Sequence, residues 1–461
     1  MEKYNSLRMK YPTFTFDNYS INETNENIEV EYTFNIENLA EFKPTWKFPK
    51  SKTVGIDDSV LEKLIFSLGM VELVSYWKIS CAPNVIVKCG KLDNEQIEWW
   101  KKQYFYGLGE FFYTNGIDAD YNDFMSMTSV GNDIEENRTP GNLDGALIPI
   151  GGGKDSAVTI EVLKSMKEKT ACYIINPRGA TLDTAEIGGF SGDSLIKVGR
   201  TLDKNMLELN KQGFLNGHTP FSAIVAFSAV ITAYLSGKKY VVLSNEASAN
   251  ESTVSDSYVN HQYSKSFQFE KDFCDYEEQY INSGVKYFSL LRSMSEFQIA
   301  QYFAKQKAYH GIFKSCNAGS KQNIWCCNCP KCLFVYLILS PFLTSAELVN
   351  IFGENLLEKE NLKTTFEQLI GICPEKPFEC VGSRDEVNTA IGLTIVRMEK
   401  ENEKLPYLFE YYKTLDISKS YIGKDNKYKE FYDEQNLIPA EFKKLLDDEC
   451  YDGILRGKGI V

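Results

Sequence analysis

The chain has 461 residues and a net charge of −13, with 43% hydrophobic and 25% charged residues. The length predicts two or three domains, and the composition is typical of a globular protein. The net negative charge argues against binding of long stretches of nucleic acid, which requires a basic face. Local basic pockets are still compatible with this charge. The start lacks the apolar segment of a secretion signal, and the longest uncharged apolar segment, 221–235, is short for a membrane span. We therefore expect a cytoplasmic protein with no nucleic-acid or membrane partner.

The first 127 residues are predicted to form an N-terminal α+β domain. Its predicted elements are strands at 29–36 and 84–89 and helices at 58–68 and 95–113. Eight aromatic residues crowd the second helix, which is typical of a helix packed into a core. A platform that stacks on a sugar or on uracil is the alternative interpretation. Residues 128–145 are polar and contain glycine and proline, and are predicted to be a linker.

Residues 146–340 are predicted to form an α/β domain, a parallel sheet with helices on both faces. The predicted elements are strands at 146–150, 171–175 and 239–244 and helices at 155–168, 194–212 and 220–236. In such folds ligands bind at the carboxyl ends of the strands. Residues 341–461 are predicted to be mostly helical, with helices at 344–352 and 385–401.

A glycine-rich turn between the first strand and the first helix of this domain is the most informative segment. Glycines let the backbone approach a phosphate closely, and the N–H groups of a new helix face the anion. A lysine adds a point charge, an aspartate can hold Mg²⁺, and a serine can cap the helix or donate to phosphate. The predicted nucleotide-binding residues are Gly151, Gly152, Gly153, Lys154, Asp155 and Ser156. The spacing is not that of a Walker A loop, and a glycine turn without a ligand is the alternative.

Polar residues follow the apolar strand at 240–243. Ser244, Asn245 and Glu246 should therefore lie at the same ligand-binding edge of the sheet. Ser244 and Asn245 are predicted to contact the nucleotide. Glu246 is predicted to be a second metal ligand or a base, and an ordinary loop carboxylate is the alternative.

Four of the twelve cysteines have the spacing of metal ligands: Cys316, Cys326, Cys329 and Cys332. Two-residue spacers let a tight turn direct successive thiolates at one ion, which predicts a structural zinc knuckle at 316–332. Cys327 is a fifth thiol in the same run, and the choice between Cys326 and Cys327 stays open. An iron–sulfur cluster or reduced thiols without metal are the alternatives.

The glycine turn resembles the pyrophosphatase loop (Ser-Gly-Gly-x-Asp-Ser) of the ATP pyrophosphatases, with Gly151 where that family usually has serine. The loop and the cysteine spacing together resemble those of the cyano-deazaguanine synthase branch of this superfamily, whose members lack the leading 145 residues. The UDP-N-acetylmuramoyl-L-alanyl-L-glutamate epimerase family is the better match. That resemblance rests on the loop and on residues 243–252, 260–266, 325–332 and 376–382, and spans about residues 145–385.

This resemblance implies a HUP/PP-loop type fold and an isomerase that depends on ATP and Mg²⁺. The carboxylate of the terminal L-glutamate of UDP-MurNAc-L-Ala-L-Glu would be adenylated, with release of AMP and pyrophosphate. Its acidified α-proton would then be exchanged to give D-glutamate for peptidoglycan. Lys154 and Asp155 would be catalytic. Another adenylating enzyme, similar to cyano-deazaguanine synthase, and a non-catalytic protein that binds nucleotide and zinc are the alternatives.

Candidate residues for the epimerase substrate follow from the same resemblance. Lys265 and Arg292 are predicted to hold its diphosphate or carboxylates, since an acidic protein must supply cations locally. His261 and Cys380 are predicted to be catalytic, the thiol as a proton-transfer base. Surface roles for the two cations and an inert thiol are the alternatives. His218 lies at a predicted helix start, where we expect either a capping or turn role or a catalytic role.

Overall fold

The computed structural model describes residues 1–50, 56–134, 141–254 and 257–451. Residues 135–140 of the predicted linker and 452–461 of the predicted helical region lie outside the described residues. The strands are β1 Thr13–Glu23, β2 Asn27–Ile36, β3 Ala40–Phe42, β4 Thr45–Pro49, β5 Asn84–Val87, β6 Ser126–Ser129, β7 Ala146–Pro149, β8 Thr170–Ile175, β9 Leu195–Thr201, β10 Tyr240–Leu243 and β11 Lys286–Ser289.

Helices surround these strands and dominate the last third of the chain. They are α1 Glu2–Lys10, α2 Asp58–Trp77, α3 Asn94–Gly107, α4 Gly109–Thr114, α5 Lys154–Val162, α6 Ala180–Ile187, α7 Lys204–Lys211, α8 Phe221–Leu235, α9 Phe267–Tyr276, α10 Glu296–Ala304, α11 Pro330–Leu339, α12 Ser345–Phe352, α13 Lys363–Ile370, α14 Arg384–Lys400, α15 Tyr407–Lys413 and α16 Ala440–Leu446. Within the described ranges, none of them combines the length and apolar character that a membrane span requires.

The described strands form one mixed sheet in the order β11-β10-β7-β8-β9-β4-β2-β1-β5-β6, with β3 paired to β2. The strands β7 to β11 pair in parallel, as predicted for this part of the chain. The expectation of a purely parallel sheet is wrong, because β4 pairs antiparallel with β9 and joins the N-terminal strands to the same sheet. Without β4, β9 would be an edge strand with unpaired backbone N–H and C=O groups, and β4 pairs with these groups.

The helix predicted at 194–212 is wrong in its first half. Residues 195–201 form β9, paired with β8 on one side and β4 on the other, and the helix begins only at Lys204. The β-branched Ile196 and Val198 favour a strand, and Asp203 caps the following helix by accepting from the N–H of Asn205. Helix α6 was not predicted, and the long aromatic helix divides into α3 and α4 at Leu108.

Two hydrophobic cores pack on the two faces of the sheet. One combines the N-terminal strands, α2 and the aromatic helices with α8, and the other combines α5, α10, α11 and α14. Most of the aromatic run is buried in the first core, which confirms the core interpretation; for example, Trp100 is fully buried and donates to the Tyr276 hydroxyl at 3.1 Å. Helix α8 is buried along most of its length, as its apolar sequence predicts.

Candidate functional site

A cavity of about 500 Å³ opens at the carboxyl ends of β7, β8 and β10. The lining includes most of the predicted site residues: Gly151, Gly153, Asp155, Ser156, Ser244, Asn245, Glu246, Lys265 and Cys380. Residues separated by more than 200 positions in the sequence therefore meet in one cavity, at the sheet edge where α/β folds bind ligands.

The glycine turn has the backbone geometry of an anion-binding loop. Gly152 has φ +81°, and a Cβ there would lie 2.9 Å from backbone atoms of Ala180 and Thr181 at the start of α6. Gly151 has open space around it, and Gly153 precedes the first residue of α5. The Ser156 hydroxyl donates to the Gly153 carbonyl at 3.1 Å, so it braces the loop from the helix side. The free N–H groups of the helix start thus lie beside the cavity.

Lys154 lies beneath the loop, with 2% of its side chain exposed, and forms ion pairs with Asp155 and Glu296. Burial opposes its charge, but the two carboxylates raise the pKa of Lys154 above its ordinary value. Burial likewise opposes the Asp155 charge, yet Lys154 lowers the pKa of that carboxyl. Burial raises the pKa of Glu296 above its ordinary value, and the Lys154 ammonium opposes this shift. The ammonium is therefore fixed, and Asp155 presents a charged carboxylate to the cavity.

The residues after β10 are held by side-chain hydrogen bonds. The Ser244 hydroxyl lies 2.8 Å from the hydroxyl of Thr159, and the Asn245 amide donates to Ser289 Oγ at 3.1 Å. Glu246 lines the cavity and is 4% exposed. These hydrogen bonds hold the segment after β10 that is predicted to contact the nucleotide.

Arg292 is fully buried and does not line the cavity. Its guanidinium pairs with the Glu270 carboxylate at 3.0 Å and donates to the carbonyls of Glu246 and Lys265. The predicted substrate-binding arginine is thus located behind the two segments that carry Glu246 and Lys265, which it joins.

Cys380 faces the cavity within a positively charged group of side chains. Lys265 and His261 are its hydrogen-bonding neighbours, and Lys331 of α11 donates to its carbonyl. Burial would raise the pKa of the thiol, but Lys265 and His261 outweigh burial and lower it to about 6. Burial opposes the charge of Lys265, yet Cys380 and Glu246 raise the pKa of its ammonium. The thiolate of Cys380 is therefore the main form at neutral pH.

His261 stands behind the thiol and contacts the Glu110 carboxylate of α4. Burial disfavours its charge, but Cys380 and Glu110 together raise the pKa of His261 to about 9. His218 lies 3.2 Å from the same carboxylate oxygen, and burial together with the charge of His261 lowers its pKa to about 4. Glu110 could not be recognised from the sequence, because nothing in its local pattern connects it with a residue about 150 positions away.

The four predicted metal ligands converge, and their sulfur atoms lie within 4.8 Å of one another. Three of the sulfur–sulfur distances are 3.4 Å (Cys329–Cys332), 3.7 Å (Cys316–Cys329) and 3.8 Å (Cys326–Cys332). A tetrahedral zinc ion bonded at about 2.3 Å would separate its thiolates by roughly 3.8 Å. The set therefore fits one small ion, whereas the irons of a cluster would hold the thiolates further apart.

Cys327 is turned away from this group. Its thiol donates to the Phe352 carbonyl at 3.2 Å, and its backbone has φ +56°. The left-handed conformation at Cys327 reverses the chain between Cys326 and Cys329. The structure thus selects Cys326 and not Cys327 as the fourth member of the cluster.

The segment before the cysteine cluster touches the glycine loop directly. The Lys314 N–H donates to the Gly152 carbonyl at 2.8 Å, and a Cβ on Gly153 would lie 3.3 Å from that of Ser315. Both Lys314 and Cys316 line the cavity. An ion at the cysteines would therefore brace one wall of the cavity.

Comparisons with known proteins give a consistent assignment. A family model described as the MurL N-terminal domain matches residues 5–290, and the MurL C-terminal domain matches residues 312–416. A UDP-N-acetyl-alpha-D-muramoyl-L-alanyl-L-glutamate epimerase of Xanthomonas oryzae pv. oryzae is 35% identical over 75% of this chain and 77% of its own length. Proteins with the same name from Salinispora tropica (31% identical; 84% and 86% covered) and a Micromonospora strain (33%; 75% and 76%) are also similar. No solved structure matches this chain.

Proposed function

The chain belongs to the UDP-N-acetyl-alpha-D-muramoyl-L-alanyl-L-glutamate epimerase family, and we propose that it inverts the terminal L-glutamate of UDP-MurNAc-L-Ala-L-Glu with consumption of ATP. One observation carries the ATP-dependent mechanism. The glycine loop, Asp155 and the thiol of Cys380 line the same cavity. A substrate carboxylate placed next to the phosphates of a bound nucleotide would therefore also lie near a base. The product would supply D-glutamate for peptidoglycan.

The proposed chemistry makes a weakly acidic C–H bond labile. A carboxylate oxygen of the substrate attacks the α-phosphorus of ATP, and pyrophosphate leaves. The mixed anhydride no longer carries the negative charge that disfavours carbanion formation, so its α-proton is far more acidic. A base removes that proton, an acid returns one on the opposite face, and water cleaves the anhydride. The sum is L-glutamyl substrate, ATP and water giving D-glutamyl product, AMP and pyrophosphate.

The nucleotide end of the cavity suits a PP-loop type of phosphate binding. The N–H groups at 151–156 would bind phosphate oxygens, and the Asp155 carboxylate would hold Mg²⁺, which neutralises charge on the leaving pyrophosphate. Lys154 would add a fixed positive charge beneath the loop. The lining contains four cations (Arg178, Lys265, Lys314 and Lys331) but two carboxylates (Asp155 and Glu246), although the whole chain is acidic. This local excess favours polyanionic ligands.

The proton-transfer end of the cavity centres on Cys380. Its thiolate would accept the α-proton, and the Lys265 ammonium beside it would stabilise the negative charge that develops on the substrate carboxyl oxygens. The second transfer needs a group on the other face of the α-carbon. Glu246 is our candidate for that role, because it lines the same cavity from the end of β10 and not from the segment of Cys380.

We assign structural Zn²⁺ to Cys316, Cys326, Cys329 and Cys332. Four thiolates leave no position for substrate, so the ion would stabilise the fold without taking part in the chemistry. Its effect on the active site would pass through Lys314 and Ser315, which pack on the glycine loop.

The proposal is tested by incubating the full chain with UDP-MurNAc-L-Ala-L-Glu and Mg²⁺, with and without ATP. We expect AMP and pyrophosphate to form together with D-glutamyl product, and no inversion without ATP. Inversion at the same rate without ATP would refute the adenylation route. AMP formation without inversion would refute the assignment of the epimerase reaction to this site.

A further inference from the structure

The N-terminal part of the chain reaches the proton-transfer group through one carboxylate. Glu110 belongs to α4, and its side chain is 15% exposed. It contacts His261, which in turn is the hydrogen-bonding neighbour of Cys380. His218, just before α8, approaches the same oxygen of Glu110 at 3.2 Å, and the two imidazole rings lie 4.7 Å apart.

We propose that Glu110 and His218 are positioning residues that hold His261 as an imidazolium donor to the Cys380 thiolate, so that the N-terminal part of the chain completes the proton-transfer site. The inference rests on the proposed function, since it takes Cys380 as the base. The chain of contacts runs from Cys380 through His261 to Glu110, with His218 beside the carboxylate.

The two histidines have different roles because their surroundings differ. His261 lies between the Cys380 thiolate and the Glu110 carboxylate, and both negative charges favour its positive charge. His218 is neutral, since burial and the neighbouring imidazolium disfavour a second charge. With its proton on Nδ1, neutral His218 donates to Glu110 and fixes the oxygen that His261 uses.

Other charged groups face this cluster from each neighbouring segment. Lys265 and Lys331 lie around the thiol, Lys78 lies beside His218, and Glu379 lies beside His261. Lys265 and Lys331 also favour the thiolate, so loss of Glu110 should weaken thiolate stabilisation without abolishing it. The Lys78 ammonium is fixed by the carbonyls of Gly217 and His218, which anchors the loop that carries His218.

The ionisation of Cys380 can be measured without substrate or ATP. Peptide-resolved mass spectrometry would follow the rate of iodoacetamide alkylation of Cys380 against pH in the full chain. We expect a wild-type midpoint near pH 6, and a midpoint about 1 unit higher in Glu110→Gln, because a neighbouring opposite charge shifts a pKa by roughly 1–3 units. Glu98→Gln, on α3, removes an equivalent carboxylate that is 58% exposed and should leave the midpoint unchanged.

The same shift should appear in substrate turnover. At pH 6 a 1-unit rise lowers the thiolate fraction, and hence the rate of α-proton exchange, about fivefold, and the deficit should shrink as the pH rises. ATP-dependent AMP formation should be affected less, because the glycine loop is untouched. A structural role alone would lower both rates at every pH.

A second pair of variants keeps the test decisive if Glu110→Gln unfolds. His218→Ala should raise the Cys380 midpoint, and His218→Asn should restore it, because an asparagine amide can donate from near the position of Nδ1. The inference is overturned if Glu110→Gln and His218→Ala both leave the midpoint unchanged, or if the wild-type midpoint lies above pH 8. Metal analysis that finds a second bound ion, lost in Glu110→Gln, would also overturn it, since Glu110, His218 and His261 would then be metal ligands.

Discussion

Gly152 offers the sharpest test of the loop geometry, because the neighbouring Gly151 is a matched control. An alanine at 152 would have to keep φ +81°, a left-handed conformation that costs about 1–2 kcal/mol for a residue with a Cβ. Its Cβ would also lie 2.9 Å from the backbone of Ala180 and Thr181, and relieving such an overlap costs about 1–3 kcal/mol. We therefore expect Gly152→Ala to lose about 2–5 kcal/mol of stability.

The control separates strain from a general effect of enlarging the loop. A Cβ on Gly151 would meet no atom within 4 Å, so the free energy of unfolding of Gly151→Ala should differ from that of the wild type by no more than about 0.5 kcal/mol. Thermal and denaturant unfolding of both variants, with MgATP binding by calorimetry, would measure the difference. Equal stabilities for the two variants would show that neither the left-handed conformation of Gly152 nor its close contact with α6 constrains the loop. We further expect Gly152→Ala to lose nucleotide affinity, since α6 and the loop must move apart.

Three further predictions concern the nucleotide, the metal and the base. Asp155→Asn should lower AMP formation at least about 100-fold with little change in unfolding temperature, because Lys154 keeps its pairing with Glu296; unchanged AMP formation would contradict the assigned role. Cys329→Ser should lose zinc by elemental analysis and melt at a lower temperature, whereas Cys327→Ser should keep its zinc, because the Cys327 thiol bonds to Phe352 and not to the cluster. Loss of zinc from both variants or from neither would contradict the ligand assignment. Since Cys380 acts as the thiolate, α-proton exchange should fall below pH 6 as the thiol is protonated. Cys380→Ser should abolish exchange but still form AMP, and exchange at the wild-type rate would exclude the thiol as base.

Local signals in the sequence were sufficient for the strand, turn and helix of the glycine loop and for the polar edge after β10, but not for α6, whose first residues also line the cavity. Strand, glycine turn and helix follow one another over 146–162, and the polar residues after β10 lie at the same edge, because parallel strands end together. The cysteine spacing was equally informative, since four thiolates with short spacers have one compact arrangement. Each of these inferences needed only residues close together in the chain.

Contacts between distant residues cannot be predicted from such local signals. The β4–β9 pairing joins residues 45–47 to 199–201, and nothing in either segment specifies its partner. Around its single buried valine, strand β9 has four partly buried and two exposed residues, so buried and exposed positions do not alternate along it. The pairing of Arg292 with Glu270 and of His261 with Glu110 likewise depends on the assembled core. Arginine at 292 could not be recognised as buried from its neighbours alone.

The most direct test of ATP-coupled inversion is solvent deuterium uptake. The full chain is incubated with UDP-MurNAc-L-Ala-L-Glu and Mg²⁺ in D₂O, with ATP or with an analogue that cannot be cleaved between its α- and β-phosphates. We predict deuterium at the terminal α-carbon of the D-glutamyl product with ATP, and none with the analogue. Deuterium uptake at the same rate with the analogue or without nucleotide would contradict this prediction, since the α-proton would then be removed without adenylation.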